Sequence, residues 1–125
     1  VYTCESAEPD KLSALYQSVC DEKIGGGTNI YAAAQYAIEM LQDKYDVSDY
    51  TTAVILMTDG VSVTATKPDF EDFYRSSGTD IPVFSIMFGS AEREQLDDIA
   101  ALTNARVFDG REDLVGAFRS VKGYN

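Results

Sequence analysis

The sequence predicts an α/β protein with three layers, α-β-α, and a parallel, Rossmann-like sheet in the middle. Three apolar segments, near residues 53–57, 81–88 and 106–108, alternate with segments whose apolar residues recur at helical spacing. The segment Ala53–Met57 is apolar at every position, which is typical of a parallel strand covered by helices on both faces. Strict alternation of strands and helices favours right-handed crossovers. We therefore expect three parallel strands whose order in the sheet follows the sequence.

The composition fits a single domain, residues 1–125, and excludes several classes of protein. The chain has 10 basic and 21 acidic residues, and its formal net charge is −11. A protein that binds nucleic acid needs a basic face to neutralise phosphates, so we exclude nucleic-acid partners. No apolar run approaches the roughly 20 residues that a membrane-spanning helix needs, so we expect no membrane span.

The side chains available for catalysis and for soft metals are few. The sequence contains Cys4, Cys20 and no histidine. The lack of histidine excludes Ser-His-Asp and Cys-His catalysis within the chain. Two cysteines without histidine also argue against a zinc site. We interpret the cysteines as free thiols, with a disulfide as the alternative if the protein is exported.

Two helices are predicted before the first strand. The first runs from Pro9 to about Cys20, because a first helical turn tolerates proline and apolar residues follow at helical spacing. Those apolar residues are expected to lie in the core: Leu12, Leu15, Tyr16 and Val19. The second helix follows a glycine-rich loop, and we expect Thr28 or Asn29 to cap it.

Three more helices are predicted, one after each strand. Thr66 is the expected cap of the first of them and Ser90 that of the next. Their inward faces are expected to hold Phe70, Phe73 and Tyr74, and then Leu96, Ile99 and Ala100. The last helix begins near residue 112, and its expected buried residues are Leu114, Val115, Phe118 and Val121.

Two loops carry the candidate chemistry. Gly25-Gly-Gly-Thr28 leads into the second helix, and Thr58-Asp59-Gly60 follows the first strand. In open α/β sheets, ligands bind in the crevice outside the carboxyl ends of the strands. A threonine hydroxyl and an aspartate carboxylate are hard oxygen donors that suit Mg²⁺, Mn²⁺ or Ca²⁺. Thr28 and Asp59 are therefore the candidate metal ligands.

Two other interpretations remain open from the residues alone. The loop Gly25–Thr28 resembles a phosphate loop, so the chain could be a nucleotide- or phosphate-binding enzyme domain of half-Rossmann type. The match is poor, because the dinucleotide fingerprint should lie between a strand and a helix, and a P-loop needs lysine where Thr28 stands. The third interpretation is a structural fragment without a ligand of its own.

The two loops together resemble the von Willebrand factor A domain, and its bacterial branch in particular. The residues that carry the resemblance are Gly26-Gly-Thr-Asn-Ile-Tyr-Ala-Ala33 and Val54-Ile-Leu-Met-Thr-Asp-Gly60. The ending, Phe118–Asn125, is also similar to the close of such domains. The resemblance covers essentially the whole chain.

The resemblance implies a doubly wound sheet and a metal-ion-dependent adhesion site rather than an enzyme. By position, Thr28 matches the threonine of that site and Asp59 matches its aspartate. A carboxylate of a partner protein takes the open metal position in the family. The family's exported bacterial members favour an extracellular or cell-surface location over a cytoplasmic one.

One departure from the family is large. The sequence has no Asp-x-Ser-x-Ser motif, which supplies three ligands in the family, so the chain is interpreted as the C-terminal half of such a domain. We expect this chain to bind Mg²⁺ weakly or not at all. In the family's strand order, the strand Ala53–Met57 would then be an edge. We expect another copy, the missing N-terminal half or Val1–Cys4 to cover it.

Overall fold

A computed structural model describes residues 2, 4, 6–23, 25–44, 49–111 and 113–123. Within them the helices and strands follow in this order: α1 (Pro9–Cys20), α2 (Ile30–Lys44), β1 (Val54–Thr58), α3 (Lys67–Ser76), β2 (Val83–Met87), α4 (Arg93–Leu102), β3 (Val107–Asp109) and α5 (Leu114–Gly123). No helix in these ranges is long and apolar enough to cross a membrane. The predicted alternation of strands and helices is confirmed.

The three strands form one parallel sheet in the order β1-β2-β3. Ser85 at the centre of β2 is paired in register with Leu56 of β1 on one side and with Val107 of β3 on the other. The predicted strand order and direction are therefore confirmed. Because all three strands run the same way, their carboxyl ends lie at one edge of the sheet, where the glycine loop before α2 also lies.

One face of the sheet is covered by α2, α3 and α4. Their buried side chains, such as Ile38, Phe70 and Ile99, pack against Val83 and other residues that point to this face. The prediction that α3 and α4 bury their apolar faces here is confirmed for the residues Phe70, Tyr74, Leu96, Ile99 and Ala100, while Phe73 is partly buried. This face holds most of the hydrophobic core.

The other face is only partly covered, by α5. Ala117 and Val121 of α5 pack against Phe84 and Ile86 of β2. On β1, burial alternates along the strand, and the two side chains on this second face, Ile55 and Met57, are 42% and 40% exposed. The expectation that helices bury β1 on both faces was therefore wrong. The apolar sequence of a strand predicts that both of its faces are covered. It does not predict whether the described residues form the covering helices.

The helix α1 has the predicted bounds but not the predicted environment. None of its residues is buried, and Tyr16 is 71% exposed. The expectation that Leu12, Leu15, Tyr16 and Val19 lie in the core was therefore wrong. The same correction applies to part of α5, where Val121 is buried but the other three expected core residues are exposed: Leu114, Val115 and Phe118.

The predicted helix caps are confirmed in part. Asn29 caps α2, because its Oδ1 accepts a hydrogen bond from the N–H of Ala32 at 3.1 Å. Thr66 is at the predicted N-cap position of α3 but accepts no cap bond, and its hydroxyl donates to Asn29 Oδ1 at 2.8 Å. The α4 N-cap is Glu92, so the prediction of Ser90 was wrong. Ser90 bonds elsewhere, as shown below.

Some predictions fall on residues outside the described ranges. These residues include Val1 and Thr3 of the Val1–Cys4 segment, Glu112 at the expected start of α5, and the last two residues of the chain. The described residues of the first segment, Tyr2 and Cys4, belong to no strand. Cys4 and Cys20 are both unpaired in the structure.

Candidate functional site

A cleft of about 390 Å³ lies at the carboxyl end of β1, between that end and the glycine loop before α2. Residues of the glycine loop, of α2 and of the ends of β1 and β2 line it, and both predicted site residues are among them: Gly27, Thr28, Asn29, Ile30, Ala33, Leu56, Met57, Thr58, Asp59 and Phe88. The cleft lies where ligands bind in open α/β sheets. The structure thus brings Thr28 and Asp59 into one cleft.

The loop that carries Thr28 is held through its main chain. The carbonyl of Thr28 accepts a hydrogen bond from the N–H of Val63 at 2.9 Å. The Ser62 hydroxyl donates its single proton either to this carbonyl at 3.3 Å or to the carbonyl of Val63 at 3.0 Å. The same hydroxyl accepts a bond from the N–H of Ile30 at 3.0 Å. These bonds tie the start of α2 to the loop after β1. Because they use the carbonyl of Thr28, its side-chain hydroxyl is left for other contacts.

Ser62 is held in turn by a side chain of α4. The N–H of Ser62 donates to Gln95 Oε1 at 2.9 Å, and Gln95 Nε2 donates to the carbonyl of Ser62 at 2.9 Å. Ser62 and Gln95 are 5% and 9% exposed. In a buried setting, both polar ends of an amide need partners. The side-chain amide of Gln95 finds both of them on one residue.

Asp59 is also held through its main chain. Its carbonyl accepts bonds from the N–H of Ser90 at 2.8 Å and from the hydroxyl of Ser90 at 3.1 Å. Gly89 has a φ of +58° and comes so close to Asp59 that a Cβ at position 89 would lie 2.8 Å from the Asp59 carbonyl. Only glycine fits this left-handed, crowded position. The loop between β2 and α4 therefore fixes the backbone of Asp59.

Thr58 also lines the cleft, but its side chain stabilises the turn after β1. It is buried, and its hydroxyl donates to the carbonyl of Gly60 at 3.1 Å. This bond closes the turn that follows β1. The turn leaves Asp59 exposed at the edge of the sheet.

The oxygen donors in the cleft are of the type that a hard cation prefers, but they are fewer than its coordination shell needs. Among the described residues, no hydrogen bond or ion pair engages the Asp59 carboxylate or the Thr28 hydroxyl. The same residues contain no group of three or more acidic or cysteine side chains that could hold a metal ion. Mg²⁺ prefers about six oxygen ligands, several of which are commonly water. Two protein oxygens therefore fit such an ion but do not enclose it.

Another aspartate, Asp109, is the last residue of β3 at the same edge of the sheet, and its carboxylate is already paired. The guanidinium of Arg111 binds the Asp109 carboxylate through Nε at 2.9 and 3.1 Å and also through Nη2. This hydrogen bonding lowers the pKa of Asp109 from 3.8 to about 2. Asp109 is therefore an engaged carboxylate, whereas Asp59 is an open one.

Comparison with known families gives one match. The family model of the von Willebrand factor type A domain matches residues 4–115, which is most of the chain. The chain belongs to the von Willebrand factor type A family. Membership explains the parallel sheet and implies a protein-interaction module, and domains of this family are generally not enzymes. A search of curated proteins found no match to the chain.

The residues that hold the Thr28 loop beside the cleft in place are not predicted by the sequence. Ser62 follows Asp59-Gly60 closely, and the sequence predicts only that it lies in a loop. Gln95 adjoins Leu96 on the inward side of α4, and it is a polar residue beside an apolar stripe. Such a break in the stripe was the available signal, because buried glutamine needs hydrogen-bond partners.

Proposed function

We propose that the cleft is a metal-ion-dependent adhesion site in which Thr28 and Asp59 are the metal ligands. The observation that carries the proposal is that both oxygen donors line one cleft while their backbones, not their side chains, are tied down. A hydroxyl and a carboxylate of this kind suit Mg²⁺, with Mn²⁺ and Ca²⁺ as the other candidates.

We further propose that the site is incomplete in this chain. Thr28 and Asp59 supply two protein ligands and one negative charge, and the sequence has no Asp-x-Ser-x-Ser motif to supply more. A cation held by so few protein ligands keeps most of its water and dissociates easily. The open side of β1, where Ile55 and Met57 are exposed, is the place where a further segment with the missing ligands would pack.

The partner in this proposal is a protein that offers an acidic side chain to the metal. The chain itself has a formal net charge of −11, so it repels an acidic surface at long range. A divalent cation between the two carboxylates removes that conflict locally. Recognition of an acidic partner by this chain would therefore depend on the cation.

The phosphate-binding alternative has less support in the contacts of the loop. The N-terminus of a helix binds phosphate through its free N–H groups. In α2 the N–H of Ile30 already donates to Ser62 Oγ, and that of Ala32 donates to Asn29 Oδ1. With these donors engaged, we do not propose a nucleotide or phosphate site.

The test is a Mn²⁺ titration followed by line broadening in ¹H–¹⁵N NMR spectra, which detects weak binding and locates it. We expect broadening centred on the amides of Thr28 and Asp59, with a Kd in the millimolar range or weaker. Asp59→Asn should abolish it, whereas the control Asp109→Asn should leave it unchanged. Broadening centred elsewhere, or broadening that survives Asp59→Asn, would show that the ion binds at another place.

A further inference from the structure

We propose that Gln95 and Ser62 are positioning residues that set the place of Thr28 relative to Asp59. The functional meaning of this positioning rests on the proposed cation site. The positioning of Thr28 itself does not depend on a bound ion. Neither residue lines the cleft. Both would act through the hydrogen bonds that hold the Thr28 loop.

The first step is the pair of hydrogen bonds between the Gln95 side chain and the backbone of Ser62. The Gln95 amide oxygen accepts from the Ser62 N–H and its amide nitrogen donates to the Ser62 carbonyl, each at 2.9 Å. This pairing needs one donor and one acceptor at the end of the same side chain, which glutamine has and ionised glutamate lacks. Leucine has neither group and would leave two buried backbone groups unpaired. The backbone of Ser62 is therefore fixed by α4.

The second step leads from Ser62 to Thr28. The Ser62 hydroxyl contacts both the N–H of Ile30 and the carbonyl of Thr28, and the next residue, Val63, donates its N–H to that carbonyl at 2.9 Å. The loop has three glycines and little conformational restraint of its own. These tertiary bonds therefore decide where Thr28 lies.

The third step is that Asp59 is anchored to the same helix region. Ser90, in the loop that leads into α4, holds the Asp59 carbonyl, and Gln95 in the first turns of α4 holds the Thr28 loop through Ser62. The separation of the two oxygen donors is thus set by α4 and by the loop that leads into it. Loss of the hydrogen bonds between Gln95 and Ser62 would move Thr28 while leaving Asp59 in place.

The experiment compares Gln95→Leu and Gln95→Glu with Thr103→Val in the full chain. Thr103 is a matched control because it is buried just after α4, and its hydroxyl accepts a bond from the N–H of Val83 at 3.1 Å, away from the cleft. The readouts are amide hydrogen exchange at Ile30 and Val63, corrected for global stability, and the Mn²⁺ Kd from NMR.

We expect exchange at Ile30 and Val63 to become about tenfold faster in both Gln95 variants, which corresponds to the loss of about one hydrogen bond. Thr103→Val should leave both rates unchanged after the correction. The Mn²⁺ Kd should rise severalfold in the Gln95 variants alone. Rates at Ile30 and Val63 no faster than in the Thr103 control would overturn the proposal.

Two further arms keep the result decisive. If Gln95→Leu does not fold, Ser62→Ala tests the same chain of contacts, with faster exchange at Ile30 expected and an unchanged rate contradicting the positioning. If the wild-type chain shows no Mn²⁺ broadening at Thr28 and Asp59, the proposed weak binding of Mn²⁺ by this chain fails. The exchange rates then still decide whether Gln95 positions the loop.

Discussion

At the scale of single residues, backbone contacts hold Asp59 in place and leave its carboxylate open. Ser90 binds the carbonyl of Asp59, and Gly89 comes close to the same carbonyl with a positive φ. The groups that position Asp59 bind its backbone and do not use its carboxylate oxygens. The carboxylate is therefore left to bind a ligand. Thr28 follows the same rule, because its carbonyl carries the supporting bonds.

Gly89→Ala should destabilise the protein more than Gly78→Ala. Both glycines have positive φ, +58° and +66°, so each alanine costs about 1–2 kcal/mol of conformational strain. The added Cβ meets the Asp59 carbonyl at 2.8 Å in the first case and nothing within 4 Å in the second. Overpacking adds about 1–3 kcal/mol to Gly89→Ala. Urea unfolding measures both, and equal losses would contradict the close approach.

The pKa of Asp109 offers a second prediction at this scale. Hydrogen bonds from Arg111 lower the pKa of Asp109 to about 2 from 3.8. A folded-state pKa below the unfolded one means that the pair stabilises the fold above about pH 3.8 and that this contribution is lost as the pH falls towards 2.

Carboxyl NMR titration of Arg111→Gln should therefore show the pKa of Asp109 rising towards its ordinary value. Arg75→Gln is the control, because Arg75 pairs with Glu71 instead, and it should leave the Asp109 pKa near 2. A low pKa that persists without Arg111 would mean that another group stabilises the carboxylate.

At the scale of elements, α1 shows what helical periodicity can and cannot predict. Apolar residues at helical spacing predicted a helix from Pro9 to Cys20, and the structure has it. The same spacing did not reveal a surface to pack against, and no residue of α1 is buried. Periodicity is a local property of the chain, whereas burial depends on where distant elements lie.

Tyrosine truncations should separate a packed helix from an unpacked one. Tyr74 of α3 is 8% exposed and donates its hydroxyl to the Ile81 carbonyl at 3.1 Å, while Tyr16 of α1 is 71% exposed. Tyr74→Ala should cost about 3–5 kcal/mol, as for other buried aromatic residues. Tyr16→Ala should change stability by about 0.5 kcal/mol or less. Comparable losses in urea unfolding would show that α1 packs on the domain.

At the scale of the whole molecule, β1 lies at one edge of the sheet that the described residues form, and its second face is half open. Ile55 and Met57 lie on that face, and α5 packs against β2 and β3. The parallel order of the strands could be predicted because alternation of strands and helices leaves few topologies. The open face could not be predicted. An apolar strand indicates that both of its faces are to be covered, but it does not indicate which segment covers them.

The same distinction applies to the candidate site. Thr28 and Asp59 could be placed at one edge of the sheet from the order of loops and strands. Ser62 and Gln95 could not, since their pairing joins residues that are 33 positions apart in the sequence. Single-sequence patterns identify residues at strand ends but do not identify which side chains meet across a fold.

We predict that the chain associates through the β1 edge. Burying an exposed isoleucine or methionine is worth roughly 1.5–3 kcal/mol, and unpaired edge strands tend to pair with other chains. Met57→Lys should therefore shift light scattering towards the monomer. Val19→Lys is the control in α1, where Val19 is also exposed, and it should not. A wild-type chain that is strictly monomeric, with rapidly exchanging β1 amides, would contradict this prediction.

The cation site is tested most directly by calorimetric titration of Mg²⁺ into two proteins. One is this chain, and the other is a longer polypeptide in which the chain is joined to a segment with the Asp-x-Ser-x-Ser loop. We predict little heat from the short chain, clear binding by the long one, and loss of that binding on Asp59→Ala. Tight binding by the short chain, or undiminished binding by the long variant, would contradict the assignment of Thr28 and Asp59.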